Sequence, residues 1–399
     1  MAKAAGEQAL IAPARGTRPG NRRQLIVAAA ADLFYRKGYA VVSMAEVADA
    51  VAIGPSALYR HFRGKQELLA TVVLAALENT DSALASASAA DVQSRLAAAA
   101  LEHRSVGVLW RRETRNLSPD QRAALRTVTQ RIGARLAELV GERRPDLRPA
   151  AADLLARCAL AVANSVSFHS LSLPEPGLTA LLAELVGATI DAPVDLPDAA
   201  AHSPARTGLT ATGSRRETIL TEAAKLFARN GFTAVGIDDI GAAVGIAGPS
   251  LYNHFATKTD ILLAAVFRGD AWLRMDMTRA LARATDPADG LHRLFDSYRA
   301  FAFENPDLVQ LLVTEAVHLP EDARHRARVA QHAYIAEWVD LVRSVHPDWN
   351  QATARIRVQA AQTMCNEIAL TTRATPPPDL ISPLATIGDR LLGISQPNR

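Results

Sequence analysis

Cysteine is nearly absent from these 399 residues: Cys158 and Cys365 stand alone, far apart and in apolar helical contexts. A disulfide framework or a zinc site needs more cysteines at closer spacing. Both are therefore expected as buried free thiols of a protein kept in a reducing compartment. Aromatic side chains make up 5% of the chain, and no apolar run approaches the roughly 18 residues of a membrane span. Glu7, Pro13 and Arg15 break up the N-terminus, which leaves no secretory signal. These absences imply a cytoplasmic protein with no membrane partner. A glycine-rich phosphate loop, a His-Glu-x-x-His pair, a nucleophile elbow and a paired metal motif are missing as well. The chain is expected to be no enzyme and to hold no cofactor and no metal.

Apolar residues account for 49% of the sequence, enough for a globular protein, and the length exceeds what one core organises. The formal charge is only +3, so where the basic residues sit matters more than their sum.

The chain repeats itself, and the repeat organises the rest. At a shift of 193, Arg22-Arg23 falls on Arg215-Arg216, Leu33-Phe34 on Leu226-Phe227 and Gly38 on Gly231. Leu58-Tyr59 falls on Leu251-Tyr252, His61-Phe62 on His254-Phe255, and Lys65 on Lys258. Further on the shift is 202, pairing Glu113 with Glu315, Leu117 with Leu319, Arg122 with Arg324 and Asn164 with Asn366. The growth by nine reads as an insertion in the second copy. Between the copies, Ala192 to Gly213 is rich in Pro, Gly, Ser and Thr and lacks helical periodicity, which marks a linker. Its 22 residues reach about 70 Å when stretched.

Strands are hard to find, and the fold class is all-α. Ile26, Ala29, Ala30, Leu33 and Phe34 form one apolar stripe at helical spacing. Gly38 ends that helix, and Ser43 caps a second whose buried face is Met44, Val47, Ala48 and Val51. A third, short helix opens at Gly54-Pro55, with proline suited to the first position. It offers Leu58 and Phe62 to the core. Ser56, Ala57, Tyr59 and His61 face outward, with Lys65 just beyond. Two helices joined by a tight turn, the second bearing small and polar residues, make a helix-turn-helix able to enter a major groove about 12 Å wide.

The stretch "GYAVVSMAEVADAVAIGPSALYRHFRGKQELL" resembles the DNA-binding domain of the TetR family of bacterial transcriptional regulators. "GFTAVGIDDIGAAVGIAGPSLYNHFATKTDILL" resembles it equally. The resemblance rests on Gly followed by an aromatic residue (Gly38-Tyr39, Gly231-Phe232), the turns Ala52-Ile53 and Gly245-Ile246, and Leu-Tyr-x-His-Phe-x-x-Lys. It implies DNA-facing residues at Arg22, Arg23, Ser43, Pro55, Ser56, Ala57, Tyr59, Arg60, His61 and Lys65. In the second head it implies Arg215, Arg216, Gly248, Pro249, Ser250, Tyr252, Asn253, His254 and Lys258. The histidines and lysines would touch phosphates, and the start of the third helix would read bases. The sequence departs from the family in Ala52, where the turn glycine belongs, and in Gly236, which stands where Ser43 caps helix two. Its weaker caps make the second head the expected weaker and less stable one. Pro249 also lies one position later than Pro55 in the shared register: either it sits deeper in its helix, or that helix starts one residue later.

The resulting division is a basic arm 1–20 with Arg15 and Arg18, head one 21–66, body one 67–191, linker 192–213, head two 214–259 and body two 260–395. Body helices are expected at 67–80, 91–116, 119–141, 149–172 and 177–191, and 67–80 and 260–268 would be levers between body and head. By resemblance each body holds a pocket for a small hydrophobic, lipid-like or aromatic effector. Candidate lining residues are Trp110, Arg112, Glu113, Asn164, Phe168 and His169 in body one. In body two they are Phe295, Tyr298, Glu315, Tyr334, Trp338 and Asn366, within an aromatic-rich segment that also contains Trp272, Phe301 and Trp349. Two unlike heads on one chain imply an intrachain pseudo-dimer on an imperfectly palindromic double-stranded operator, with a further homodimer left open. A ligand-sensing or scaffold protein whose second head has lost DNA binding is the alternative.

Overall fold

The computed structural model describes residues 21–194, 196, 214–372 and 378–394. The basic arm, linker residues 197–213 with Arg206, and residue 395 lie outside the described residues. Every regular element among the described residues is helical.

The first copy runs α1 (Arg22–Lys37), α2 (Met44–Ala50), α3 (Pro55–Tyr59), α4 (Lys65–Ala85), α5 (Val92–Glu102), α6 (Val106–Glu113), α7 (Pro119–Arg143), α8 (Pro149–Asn164) and α9 (Gly177–Ile190). The second runs α10 (Arg215–Asn230), α11 (Ile237–Val244), a 3₁₀ turn at Gly248–Asn253, α12 (Lys258–Leu281), α13 (Pro287–Glu304), α14 (Pro306–Thr314), α15 (Glu321–Val345), α16 (Gln351–Thr372) and α17 (Pro378–Leu392). The copies therefore match element for element. The insertion is absorbed as helix: α12 has 24 residues against 21 in α4, and α13 has 18 against 11 in α5.

Two expectations change. The helix foreseen over 91–116 breaks at His103–Ser105 into α5 and α6, and the one foreseen over 149–172 ends at Asn164 in a 3₁₀ turn, Ser165–Phe168. The linker also starts later than its composition suggests. Ala192, Val194 and Leu196 are buried, and Arg144 and Arg148 donate to the Ala192 and Leu196 carbonyls.

The chain divides into two compact units that do not follow the repeat boundary. One comprises Met1–Ser86 with Glu102–Ile132, the other Ala87–Leu101 with Gly133–Arg399. In the first, Ile26, Ala30, Phe34, Val47, Leu58, Phe62, Leu68 and Leu109 form the core. In the second, α8 and α9 pack against α16 and α17 as four helices. The contact is close because both central helices are rich in buried alanine, including Ala152, Ala156 and Ala159 on α8 and Ala354, Ala360 and Ala361 on α16. Cys158 and Cys365 are free and fully buried here, and burial pushes both thiols up to about 12. Such thiols are not ionised near neutrality and carry little reactivity. α4 and Pro149–Phe168 are apolar and long enough to cross a membrane by length and composition. The second is 72% buried within the protein, as a core helix is.

The two heads close their turns differently. Gly245 adopts φ +69°, whereas Ala52 is forced to φ +54° at the equivalent place. A non-glycine residue there costs about 1–2 kcal/mol. Ser43 caps α2 and Gly236 gives α11 no side-chain cap, as expected, but Ser214 caps α10 and Thr257 caps α12, where Asn21 and Gly64 provide none. Ala52→Gly should therefore stabilise the protein by roughly 0.5–1 kcal/mol, and Gly245→Ala should destabilise it at least as much. Thermal melts of the full chain check this; unchanged midpoints for both would remove strain from the comparison of the heads.

Candidate nucleic-acid interface

In each head one loop, between the first two helices, fixes everything that follows it. Gly38 ends α1 at φ +87° and Gly231 ends α10 at +85°, turning the chain sharply. The next residue is aromatic, and its ring packs on the helix just left: Tyr39 on Phe34 and Phe232 on Phe227, at 5.5 and 5.3 Å between centroids. A body carboxylate then accepts the backbone N–H of that aromatic residue. Glu113 Oε1 takes Tyr39 N–H at 3.1 Å, and Glu315 Oε2 takes Phe232 N–H at 2.9 Å. Both glutamates are buried, at 5% and 0% exposure. The sequence suggested both as pocket residues; here they tie α6 and the end of α14 to the heads.

A lysine grips the same loops from the other side. Lys65 Nζ donates to the carbonyls of Tyr39 (2.7 Å), Ala40 (3.2 Å) and Val42 (2.8 Å) and lies 4.5 Å over the Tyr39 ring. Lys258 Nζ donates to Phe232 (2.9 Å) and Val235 (2.8 Å) and lies 4.4 Å over the Phe232 ring. Burial draws both ammonium pKa values down, offset at Lys65 by the Glu113 and Glu46 charges. All three hydrogens of Lys65 are thus directed at the protein, so the lysines brace the fold where a phosphate contact was expected.

Other residues expected at the DNA also make contacts within their head. The Arg23 guanidinium lies 4.9 Å over Phe62, and Arg216 lies 4.0 Å over Phe255 while donating to the His254 carbonyl. Arg215 donates to the Val244 carbonyl at the end of α11; Arg22 is half-buried. Ser43 is exposed, but its hydroxyl accepts Glu46 N–H while Glu46 accepts Ser43 N–H. Those bonds, with Lys37, hold the Glu46 carboxyl down at about 2.

What remains on the outside is short and differs between heads. In the first, Pro55, Ser56, Tyr59, Arg60 and His61 are exposed and Ala57 is half-buried. In the second, Pro249, Tyr252 and Asn253 are exposed, Ser250 and His254 are half-buried, and Gly248 is buried. Tyr59 and Tyr252 stand out almost equally, at 53% and 55% exposure. No side chain fits at Gly248, because a Cβ there would lie 2.0 Å from Asp238 Oδ1. The register of the proline is also settled. Ala247 flanks the second element as Gly54 flanks the first, so Gly248 takes the place of Pro55 and Pro249 sits one position deeper. The second element winds as a 3₁₀ turn rather than an α-helix.

The expected effector residues are largely occupied in packing. Arg112 donates to the Phe34 and Tyr35 carbonyls and to Glu113, closing the end of α1. Trp110 packs on the first head's core. Phe168 and His169 end the turn after α8, where His169 Nδ1 accepts Leu171 N–H. Asn164 is half-buried at the end of α8. In body two, Phe295 is fully buried, with its ring where a Cβ on Gly388 would sit. Tyr298 donates to Asn366 and packs edge-on against Trp338, which Tyr334 also meets. All four aromatics are buried, and Tyr298 and Tyr334 both face the Trp338 ring. A cleft of about 450 Å³ lies elsewhere, lined by Trp272, Met275, Asp276 and Arg279 of α12 and by Phe301, Glu304 and Asn305. Sequence signalled Trp272 and Phe301 only as members of an aromatic-rich segment. Tyr39 and Phe232 went unnoticed as anchors, although their repeated distance to the lysine was available.

Two copies of a helix-turn-helix, each clamped to a helical body, define a protein of the helix-turn-helix class. Residues 26–72 and 219–265 both match the family described as bacterial regulatory proteins, tetR family. Both heads are TetR-family domains, and the chain carries them in tandem. Among curated proteins, the chain is similar to the transcriptional activator FasR of Mycolicibacterium smegmatis, at 32% identity over 128 residues (32% of this chain, 58% of that protein). It is also similar to the transcriptional repressor KstR2 of Mycobacterium tuberculosis, at 26% identity over 137 residues (32% of this chain, 65% of that protein). The chain thus spans about three fifths of the length of these curated relatives. A TetR-family regulator from Bordetella parapertussis aligns with 44% of this chain and 93% of its own, at 24% identity and a TM-score of 0.41.

Lys65→Met or Lys258→Met should destabilise the protein by about 2 kcal/mol, since loop carbonyls lose charged donors. DNA affinity should fall while the dependence of log affinity on log salt keeps its slope. A lysine on phosphate would lose about one unit of slope. Anisotropy titrations over a salt series check this, and a reduced slope with an unchanged melting midpoint would return the lysines to the phosphates.

Proposed function

We propose that this chain is a cytoplasmic DNA-binding transcriptional regulator, acting as a repressor, that reads an unequal, imperfectly palindromic operator with its two heads. The observation that carries this reading is the contrast between the heads. Their clamps use an aromatic, a glutamate, a lysine and an arginine at matching positions, whereas Ser56, Ala57 and Arg60 stand in register with Pro249, Ser250 and Asn253. A common scaffold with different outward side chains fits two half-sites of different sequence, because base edges are read by the side chains that reach them.

The packing of α8 and α9 on α16 and α17 supports an intrachain pseudo-dimer, with each half supplying two helices. A small hydrophobic effector that releases the DNA fits the α12–α13 cleft, whose Trp272, Met275 and Phe301 supply apolar surface. The volume lies within the range of small-ligand sites, and α12 begins at the clamp lysine. One observation favours the alternative of a sensor whose second head no longer binds DNA: its recognition element starts on buried Gly248 beside the Asp238 carboxylate.

Footprinting on the DNA flanking its own gene decides between the two. Protection of two adjacent half-sites is expected. His61→Ala should weaken binding and lower the salt slope by about one. Joint replacement of Tyr252 and Asn253 by Ala should cost about 1–3 kcal/mol and uncover one half-site only. A footprint and affinity untouched by the second substitution would remove head two as a reader.

A further inference from the structure

The four helices contributed by the two bodies carry charges that pair in one arrangement and lose their partners in the others. Arg357 of α16 is buried, at 5% exposure. Its guanidinium lies 3.9 Å over the Trp349 ring, and one Nη donates to the Leu391 carbonyl at 3.3 Å. The other Nη is paired with the carboxylate of Glu184 on α9, which belongs to the other half of the repeat. Nearby, Arg390 Nε of α17 donates to the Ala188 carbonyl of α9 at 3.1 Å.

The repeat register gives these contacts their meaning. In the shift of 202, Glu184 corresponds to Thr386 and Arg357 to Leu155, so neither charge has a like partner in the other copy. Ala188 and Arg390 correspond to each other, which puts that contact on the approximate twofold axis. A twofold pairing of identical halves places residue i against j and j against i. Two second halves would then bring Arg357 against Thr386 and Arg390 against Arg390. Two first halves would bring Glu184 against Leu155. A buried cation without its anion is strongly unfavourable, and like charges at a contact disfavour that pairing. Specificity of this kind combines an attraction in the right pair with penalties in the wrong ones.

We infer that Glu184, Arg357 and Arg390 select first-half-with-second-half pairing and penalise the pairing of two second halves, so that each body takes a body of the other kind as its partner. The inference rests on the pseudo-dimer reading given above and names the residues that enforce it. It explains why two halves of common design do not behave as interchangeable subunits.

A double-substitution cycle in the full-length chain tests it, read by thermal melting and sedimentation velocity. Glu184 is largely exposed, so Glu184→Arg is compatible with folding while it opposes Arg357. It should lower the melting midpoint by roughly 5 °C and bring in self-associated species. Arg357→Met keeps the volume and removes the charge. In that background Glu184→Arg should lose its effect. Equal costs in both backgrounds, or no cost in either, would overturn the selection rule. The wild-type mass separates the two levels. A 42.6 kDa species with a null cycle overturns the rule and leaves the pseudo-dimer intact. A stable dimer with an intact cycle supports the rule through exchanged halves and overturns the pseudo-dimer.

Discussion

The rest of each head depends on a buried carboxylate that accepts one backbone N–H. Glu113 and Glu315 reach the amide after the helix-ending glycine, where the chain has turned out of its first helix and has no helical partner to satisfy it. An unmet donor at such a depth is costly, and a charged acceptor makes a strong bond there. With the N–H held by the body and the carbonyls held by Lys65 or Lys258, the loop has no freedom of its own. The second helix and the recognition element are positioned from it. The contact also joins body to head by the shortest route available, so a shift of α6 or α14 is felt at the start of α2 or α11.

The architecture was legible in the sequence because it is local or repeated. Helical stripes, the Gly38 and Gly231 stops, the Ser43 cap and the shift of 193 need no tertiary information. The functional residues were less so. Glu113 is a pocket candidate only by resemblance, and its partner here lies 74 residues away, beyond the reach of a local pattern. Lys65 looked like a phosphate contact because it follows the recognition helix, yet its side chain turns back toward carbonyls 23 to 26 residues earlier. Phe295, Tyr298, Tyr334 and Trp338 share the composition of a binding site and of a core; all four are buried, and Tyr298 and Tyr334 pack on Trp338. The slip of Gly-Pro-Ser was visible at once, but its consequence was not. Placing Pro249 one residue deeper accompanies a 3₁₀ winding and a buried Gly248.

Duplication has kept what holds a head together and changed what a head presents. The aromatic after the glycine, the body carboxylate, the lysine and the arginine over phenylalanine occur in both copies. Ala52 against Gly245, Ser56 against Pro249 and Arg60 against Asn253 do not. The same division runs through the bodies, where alanine-rich faces are common to α8 and α16 while Arg357 and Glu184 each occur once. One chain thus carries the asymmetry that a symmetric dimer of single-headed chains lacks. The most direct measurement of this is the stoichiometry of the DNA complex, by native mass spectrometry of the full chain on the duplex defined by footprinting. One chain per duplex protecting both half-sites is the expected result. Two chains, each occupying one half-site with a single head, would contradict it.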